Sequence, residues 1–333
     1  MTGVGLGKLP SDVARDVLIR AQDVTDPSHG NEPSSRPMRE YLRLGIINLD
    51  KPVGPTSHEI VAWVKRLLEV RRAGHGGTLD PKVSGVLPVA LEDATKMVQT
   101  LLPAGKEYIC LMHLHGDVPD HRLQQVMKEF EGEIYQRPPM RAAVRRLLRK
   151  RRIYYVEMLE REERDVLLRI GCEAGTYMRK WCFDVGEALG CGAHMAELRR
   201  TRTGPFRDDG TIVKLHDLAD AYAFWREDGA EDHLRKVVLP VEAAVQHLPK
   251  LVVRDGAVDA LCHGASLAAP GVLSVETGIS PDDLVALMTL KGELVALGRA
   301  TMTSKQIAEA DHGIVSKPER VVMSPGTYPR KWK

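Results

Sequence analysis

The sequence has few aromatic side chains and no long apolar run. Only 5% of its 333 residues are Phe, Trp or Tyr, although 43% are hydrophobic. The cores should therefore be built mainly from aliphatic side chains. No apolar stretch approaches the ~20 residues that a membrane-spanning helix needs, and Asp12, Arg15 and Asp16 precede any long apolar run. The sequence thus predicts neither a membrane span nor a signal peptide.

Cysteine is scarce as well. The chain has five scattered cysteines, an odd number, and no CxxC pair. This excludes a disulfide framework and fits a reducing intracellular compartment. Two short patterns have metal-like spacing, Cys191 with His194 and His113 with His115. Neither has an obvious set of further ligands, so we interpret both as structural and predict no metal site.

The familiar phosphate-binding loops are also missing. Neither GxxxxGK[ST] nor GxGxxG occurs, although residues 74–91 (GHGGTLDPKVSGVLPVAL) are rich in glycine. Three glycines within four residues permit a tight turn or a close approach of the backbone. Asp80 follows, and Pro81 favours an extended conformation for it. This stretch is either an ordinary Gly-Asp-Pro turn or a rigid mount for one reactive carboxylate, and residue types alone leave both open.

The net charge of +2 does not indicate a nucleic-acid partner, but the distribution of charge does. Seven of the twelve residues in 141–152 (RAAVRRLLRKRR) are Arg or Lys and none is acidic. Such a segment is either a solvated arm or a binding site for a polyphosphate backbone, which would relieve the repulsion. We favour RNA binding. The candidate residues are Arg145, Arg146, Arg149, Lys150, Arg151 and Arg152. A second basic cluster contains Arg199, Arg200, Arg202 and Arg207.

Local patterns predict a mixture of helices and strands. Thr56 and Glu59 form a capping box that opens a helix running to about Val70. Alternating side chains over residues 107–115 predict a strand. We further predict short helices over residues 13–24 and 193–200.

Several ordered motifs give the sequence a resemblance to a known family. The stretch GHGGTLDPKVSGVLPVAL resembles the catalytic motif of the TruB-type pseudouridine synthases, and most closely that of the archaeal dyskerin-like catalytic subunit of the box H/ACA ribonucleoprotein. The other matching motifs are INLDKPVGPTSH from Ile47, KEY from Lys106, MHLHGD from Met112, GTYMR from Gly175 and AHMAELRRTRTGPF from Ala193. Gly76 and Ser84 depart from the residues usual in the family, without affecting any expected role.

The resemblance implies an α+β fold. We expect a catalytic domain at residues 41–247, with a mixed, largely antiparallel sheet flanked by helices. Residues 248–333 would form a PUA domain, a small RNA-binding β-barrel. Residues 1–40 would be an N-terminal extension that packs on this C-terminal domain, as in archaeal relatives.

The resemblance also implies a reaction. Pseudouridine formation breaks the N1–C1′ bond of uridine, turns the base and rejoins it through C5, with no net redox change and no cofactor. Asp80 would be the essential carboxylate, Arg179 its charge partner and Tyr108 the residue that stacks on the base. Leu198 would form an apolar wall of the pocket. His75 would help to hold the flipped nucleotide, and Lys51 and Pro52 would belong to a loop that supports the site and binds the substrate.

The expected partners follow from the same resemblance. They are a box H/ACA guide RNA, a ribosomal RNA substrate and three small core proteins, with no membrane, in an archaeal cytoplasm. Two alternatives remain open. One is a guide-independent tRNA pseudouridine synthase, and the other is a non-catalytic RNA-binding scaffold.

Overall fold

The computed structural model describes residues 8–137 and 147–330. Within them the strands, in chain order, are β1 (Val17–Ile19), β2 (Gly45–Lys51), β3 (Ala73–His75), β4 (Ser84–Leu91), β5 (Lys106–Leu114), β6 (Gly132–Gln136), β7 (Arg149–Glu162), β8 (Asp165–Cys172), β9 (Ala193–Thr203), β10 (Phe206–Arg207), β11 (Leu239–Pro240), β12 (Lys250–Val253), β13 (Leu267–Ala268), β14 (Val272–Glu276), β15 (Leu284–Met288), β16 (Leu294–Ala300) and β17 (Ile314–Val321). The α-helices are α1 (Met38–Arg43), α2 (Ser57–Leu67), α3 (Val98–Leu101), α4 (Asp120–Glu129), α5 (Met178–Leu189), α6 (Leu215–Asp228), α7 (Glu231–Val237), α8 (Asp255–Cys262) and α9 (Ser304–Glu309). In this part of the chain no helix is long and apolar enough to cross a membrane.

A ten-stranded sheet organises the larger part of the molecule. Its main strand order is β11-β2-β4-β9-β5-β8-β7-β6, with β3 paired to β4 and β10 paired to β9. All of its pairs are antiparallel except β4 with β9, which is parallel. Helices cover it, and apolar cores lie between them, including one in which α5 and α4 pack on β5 and β8. The sheet is mixed and largely antiparallel, as predicted.

A seven-stranded sheet forms a second unit. Its order is β1-β14-β12-β15-β16-β17-β13, and only β12 with β15 is parallel. It surrounds a separate core of small aliphatic side chains, which includes Leu251, Val285 and Val295. Aliphatic residues dominate this core, in agreement with the low aromatic content.

The N-terminal segment joins the second sheet. Strand β1 pairs antiparallel with β14, with Val17 opposite Glu276. Further along, the buried Arg36 guanidinium donates to both carboxylate oxygens of Glu242 at 2.7 and 2.9 Å. Burial opposes the charge on Arg36, but Glu242 outweighs it and raises the pKa of the guanidinium. Residues before 40 therefore contact both the C-terminal sheet and the segment between β11 and β12.

Three local predictions need correction. The helix predicted over residues 13–24 is wrong, because this segment is extended and gains its backbone partners from β14. The helix predicted over 193–200 is wrong as well, because these residues lie in β9 between β4 and β5. Helix α2 has the predicted capping box, in which Thr56 Oγ1 accepts from the Glu59 amide, but it ends at Leu67, earlier than predicted.

Candidate active site

Asp80 lies on a loop between β3 and β4 that is fixed by its neighbours. The Ser57 hydroxyl accepts from the Leu79 amide at 2.8 Å and donates to the Leu79 carbonyl at 3.0 Å. Leu79 and Val83 are buried on either side of the aspartate, and the Val83 amide donates to the Asp80 carbonyl at 3.0 Å. The loop thus has buried anchors, while the Asp80 side chain is 67% exposed.

Arg179 faces Asp80 from the first turn of α5. Its Nη2 lies 3.8 Å from Asp80 Oδ2, and the Arg179 side chain is 60% exposed. A surface pair of this kind contributes only ~0–1 kcal/mol to folding. A cation at a helix N-terminus is also disfavoured by the helix dipole. The pair thus contributes little to stability, but it places opposite charges in the lining of a cleft.

That cleft has a volume of about 1660 Å³ and brings together four of the residues predicted from the sequence. Asp80, Tyr108, Arg179 and Leu198 all line it. Its apolar walls include Phe130, Ile134, Tyr135, Leu148 and Phe183. The cleft therefore combines an ion pair, a phenol and an apolar wall, which suits a flat, partly apolar ring with polar edges.

Tyr108 enters the cleft from β5, the strand between β8 and β9. Burial raises the pKa of its hydroxyl to about 12, and the nearby Arg200 guanidinium works in the opposite direction. Tyr108 is therefore a neutral phenol at physiological pH. It can stack on a base and donate a hydrogen bond without carrying charge.

His75, Lys51 and Pro52 are not among the residues that line the cleft. The His75 Nδ1 accepts from the Gly77 amide at 3.3 Å, and its ring meets His58 edge-on, with centroids 5.2 Å apart. Burial, followed by the neighbouring His58, lowers the pKa of His75. A neutral imidazole can keep this acceptor role, so His75 stabilises the turn before Asp80.

Lys51 supports the loop from its other end. Its buried Nζ donates to the carbonyls of Pro52, Pro81 and Val83 at 2.8, 3.4 and 2.8 Å. Burial lowers the pKa of this amine, and the charge on Asp80 acts against that effect. Lys51 thus ties the segment just after Asp80 to the loop that contains Pro52.

The basic segment lies partly on a strand. Arg149, Lys150, Arg151 and Arg152 belong to β7, whereas Arg145 and Arg146 lie outside the described residues. Lys150 pairs with Glu133 at 2.6 Å and Arg151 with Glu173 at 3.6 Å, so acidic neighbours partly neutralise the cluster. Leu148, directly before these strand residues, lines the cleft, so the described part of the segment lies beside the candidate site.

The two metal-like patterns form other contacts. The Cys191 thiol donates to the Gly192 carbonyl, and His194 Nδ1 lies 2.8 Å from His115 Nε2. His113 pairs instead with Asp165 at 2.7 Å. Residues 8–137 and 147–330 contain no group of three or more side chains arranged to hold a metal ion.

Sequence reasoning missed two residues that hold the Asp80 loop. Ser57 looked like the first residue of a helix, and Arg200 looked like one of several surface arginines. In the structure both are fully buried. If residues 193–200 had been read as a strand, alternation would have placed Arg200 on the same face as Leu198, toward the cleft.

Comparisons with known proteins agree with this architecture. Four family models match consecutive segments: the DKCLD (NUC011) domain at 8–61, the TruB family pseudouridylate synthase N-terminal domain at 65–178, the tRNA pseudouridylate synthase B C-terminal domain at 179–246, and the PUA domain at 249–322. The probable tRNA pseudouridine synthase B of Methanopyrus kandleri is 60% identical over 100% of this chain and 98% of its own length. The one from Pyrococcus furiosus is 59% identical over 98% and 96%.

Solved structures are similar over nearly the whole chain. A crystal structure of a Cbf5-Nop10-Gar1 complex matches at 59% identity with a TM-score of 0.93, covering 97% of this chain and 99% of that one. A structure of an H/ACA RNP bound to a substrate RNA containing 2′-deoxyuridine matches at 57% identity and TM-score 0.93, covering 98% and 100%.

The chain belongs to the TruB family of pseudouridine synthases and carries a C-terminal PUA domain. It is an isomerase that converts uridine in RNA to pseudouridine.

Proposed function

We propose that this chain is the catalytic subunit of an RNA-guided enzyme that isomerises uridine in ribosomal RNA. The guide would be a box H/ACA RNA, and three small core proteins would complete the particle. Support comes from the two solved structures of high similarity, which contain Nop10 and Gar1 in one case and a substrate RNA in the other.

The observation that carries the catalytic part is the convergence of three side chains in one cleft. Asp80 from the β3–β4 loop, Arg179 from α5 and Tyr108 from β5 all line it. Asp80 is the catalytic carboxylate, and Arg179 keeps a positive charge beside it. Tyr108 stacks on the base. In the overall change the N1–C1′ bond breaks, the C5–C1′ bond forms, C5 loses its proton and N1 gains one.

The remaining site residues bind or support the nucleotide. Leu198 forms an apolar wall for the base, and His75 with Lys51 and Pro52 holds the loop on which Asp80 lies. The target base must leave its stack to reach the cleft, at a cost of a few kcal/mol that is smallest for an unpaired nucleotide. Arg149, Lys150, Arg151 and Arg152 contact phosphates of the RNA, together with Arg145 and Arg146.

The domains would divide this work. Residues 41–247 form the catalytic domain and residues 248–333 grip the stem and ACA end of the guide. Residues 1–40 pack on the C-terminal domain, in line with the pairing of β1 with β14.

A second candidate is a guide-independent tRNA pseudouridine synthase. It is favoured by the descriptions of the similar curated proteins, which are all probable tRNA pseudouridine synthases B. The two candidates share the chemistry of the cleft and differ in what presents the uridine.

The test is the release of tritium from RNA labelled at C5 of uridine, with and without a matched guide and the core proteins. Release that requires the guide supports the RNA-guided enzyme. Release from tRNA by the protein alone supports the second candidate. Bound RNA with no release under either condition would leave only a scaffold role and would overturn the catalytic proposal.

Asp80→Asn removes the carboxylate charge and keeps the shape of the side chain. We expect turnover to fall by at least ~10³-fold, near the upper range for loss of an essential acid-base or nucleophilic group, while RNA binding is retained. Asp117→Asn is the matched control, because Asp117 is an exposed aspartate that pairs with Arg164 away from the cleft. Turnover that survives in Asp80→Asn would contradict the role of Asp80.

A further inference from the structure

The floor beneath the Asp80 loop contains a buried arginine. Arg200 is 1% exposed, and its guanidinium binds three main-chain carbonyls. Nε donates to Val86 at 2.8 Å, Nη2 to Gly77 at 3.0 Å and Nη1 to Thr78 at 3.4 Å. Arg200 therefore ties the residues that precede Leu79 and Asp80 to the start of β4.

Glycines let the neighbouring backbone come close to Arg200, at its guanidinium and at its main chain. Gly77 has φ +133°, and a Cβ there would lie 3.7 Å from Arg200 Nη1 and 3.7 Å from Lys106 Cε. Gly85 has φ +104°, and a Cβ there would lie only 2.2 Å from the Arg200 carbonyl oxygen. Both positions are in the region that favours glycine, so this local sequence brings the loop, β4 and β9 into close contact around one side chain.

The charge on Arg200 has no acidic partner within the described part of the chain. Its hydrogen bonds go to carbonyl oxygens, and its guanidinium also interacts with the Tyr108 hydroxyl. Burying a cation without a carboxylate costs free energy, and a well-packed apolar side chain commonly gives equal or greater stability. Stability alone is therefore a weak reason for an arginine at this position. Its fork of donors can instead fix the direction of several carbonyls at once.

Two buried cations hold the loop from opposite ends. Arg200 binds the carbonyls of Gly77 and Thr78, before Asp80, and Lys51 binds those of Pro81 and Val83, after it. The exposed carboxylate between them is thus fixed through its backbone.

Lys106 is a buried cation of a different kind. Its Nζ donates to the carbonyls of Leu101, Leu102 and Ala104 and to none in the Asp80 loop. Lys106 therefore lies near the Asp80 loop without holding it.

We propose that Arg200 is a positioning residue for the isomerisation, which holds the Asp80 carboxylate opposite Arg179 through the carbonyls of Gly77 and Thr78 and faces the Tyr108 hydroxyl. This inference rests on the proposed role of Asp80. Loss of the guanidinium removes the side-chain hydrogen bonds to Gly77 and Thr78, so that Ser57 and Lys51 alone hold the rest of the loop. Asp80 then samples positions away from the sugar, while the RNA-binding surface is unchanged.

The experiment compares Arg200→Met with Arg202→Met in the assembled particle with guide RNA. Arg202 is the matched control, because it is a buried arginine two residues along β9 whose guanidinium binds Asp12 and not the loop. Single-turnover tritium release gives the rate of the chemical steps, substrate titration gives Kd, and thermal melting reports stability.

We expect Arg200→Met to lower the single-turnover rate at saturating RNA by about 10²-fold, the loss typical of a misplacement near 1 Å, with Kd unchanged. Arg202→Met should melt at a lower temperature and keep a rate within about threefold of the unaltered particle. Arg200→Lys keeps the charge without the fork, and we expect an intermediate rate. If Arg200→Met does not fold, Arg200→Lys is the deciding variant, and its rate must fall by at least about tenfold at unchanged Kd.

Other results would overturn the inference. Arg200 has only a structural part if the single-turnover rate is unchanged in its variants, or if Arg202→Met loses as much rate. The same conclusion follows if the rate and the affinity for RNA fall together. An unaltered particle that releases no tritium would contradict the proposed function instead. The two failures are therefore distinguishable.

Discussion

At the residue scale, the candidate site depends on a pair of charges that contributes little to folding. Asp80 and Arg179 are both more than half exposed and 3.8 Å apart. In the free protein water screens their attraction, whereas a nucleotide bound over them, as proposed, would lower the local dielectric. We therefore expect the pair to act in the complex with RNA and to add little to the free protein.

Arg179→Met tests this interpretation. We expect turnover to fall by ~10²–10³-fold, as when a preorganised charge partner is removed, while the free energy of unfolding changes by less than ~1 kcal/mol. Tritium release and chemical denaturation measure the two quantities. Arg226→Met is the control, since Arg226 forms a similarly exposed pair with Glu69 at 3.7 Å, and neither residue lines the cleft. A large loss of stability in Arg179→Met would contradict this view.

The sequence predicted the residues that line the cleft and, in His75 and Lys51, part of the support of the Asp80 loop, but it did not reveal Arg200. Asp80, Tyr108, Arg179 and Leu198 were predicted through motif resemblance, and the structure brings all four into one cleft. Arg200 escaped because a buried arginine and a surface arginine look alike in a sequence. Its burial depends on a parallel contact between β4 and β9, whose partners are more than a hundred positions apart.

At the element scale, the packing of α5 on β9 sets the distance between Arg179 and the loop. Gly186 lies on the buried face of α5, where a Cβ would come within 2.0 Å of the Ala193 amide nitrogen. Glycine inside a helix normally costs ~0.5–1 kcal/mol relative to alanine. The close approach of helix and strand explains why glycine occurs here.

Gly186→Ala should therefore destabilise the protein despite its better helix propensity. We expect overpacking to lower the free energy of unfolding by ~1–3 kcal/mol. Turnover should also slow, because a displaced α5 would move Arg179 away from Asp80. Denaturant titration and tritium release provide the measurements. Glu187→Ala, on the exposed side of the same helix, should change little. Increased stability in Gly186→Ala would show that the helix can shift without cost.

Elements were predictable where their signals are local. The Thr56–Glu59 box and the alternation in β5 both depend on neighbours in sequence. Strands β1 and β9 were predicted as helices, because their partners lie far along the chain. For these segments tertiary pairing overrides local preference.

At the scale of the whole molecule, a short connector docks the two sheets on each other. His247 lies between β11 and β12, and its Nε2 donates to the Thr100 carbonyl at 3.2 Å. Its Nδ1 is buried without a partner among the described residues. Burial lowers the pKa of His247 to about 4, although the contact with Thr100 acts in the other direction. The connector is therefore docked by a neutral imidazole.

This predicts a loss of stability on the acid side. Between pH 6.5 and 4 the unfolded chain binds a proton on His247 that the folded chain does not, so the free energy of unfolding falls as pH decreases. The slope contributed by this residue is at most ~1.4 kcal/mol per pH unit, on the order of 3 kcal/mol in total. His247→Gln keeps a donor without titrating. Between pH 7 and 4 the free energy of unfolding should fall more steeply in the unaltered chain than in His247→Gln. Equal slopes in the two proteins would exclude this role for His247.

The pairing of β1 with β14 has a consequence for the order in which the molecule can form. Val17 is translated before its partner Glu276, which leaves the ribosome roughly 260 residues later. At a synthesis rate of ~5–20 residues per second, β1 therefore remains without its partner strand β14 for on the order of 10–50 s. During that time one edge of the β1 backbone stays unpaired, and Leu18, which packs on the C-terminal core in the finished fold, stays exposed. A chain that stops before β14 therefore keeps an open, apolar strand.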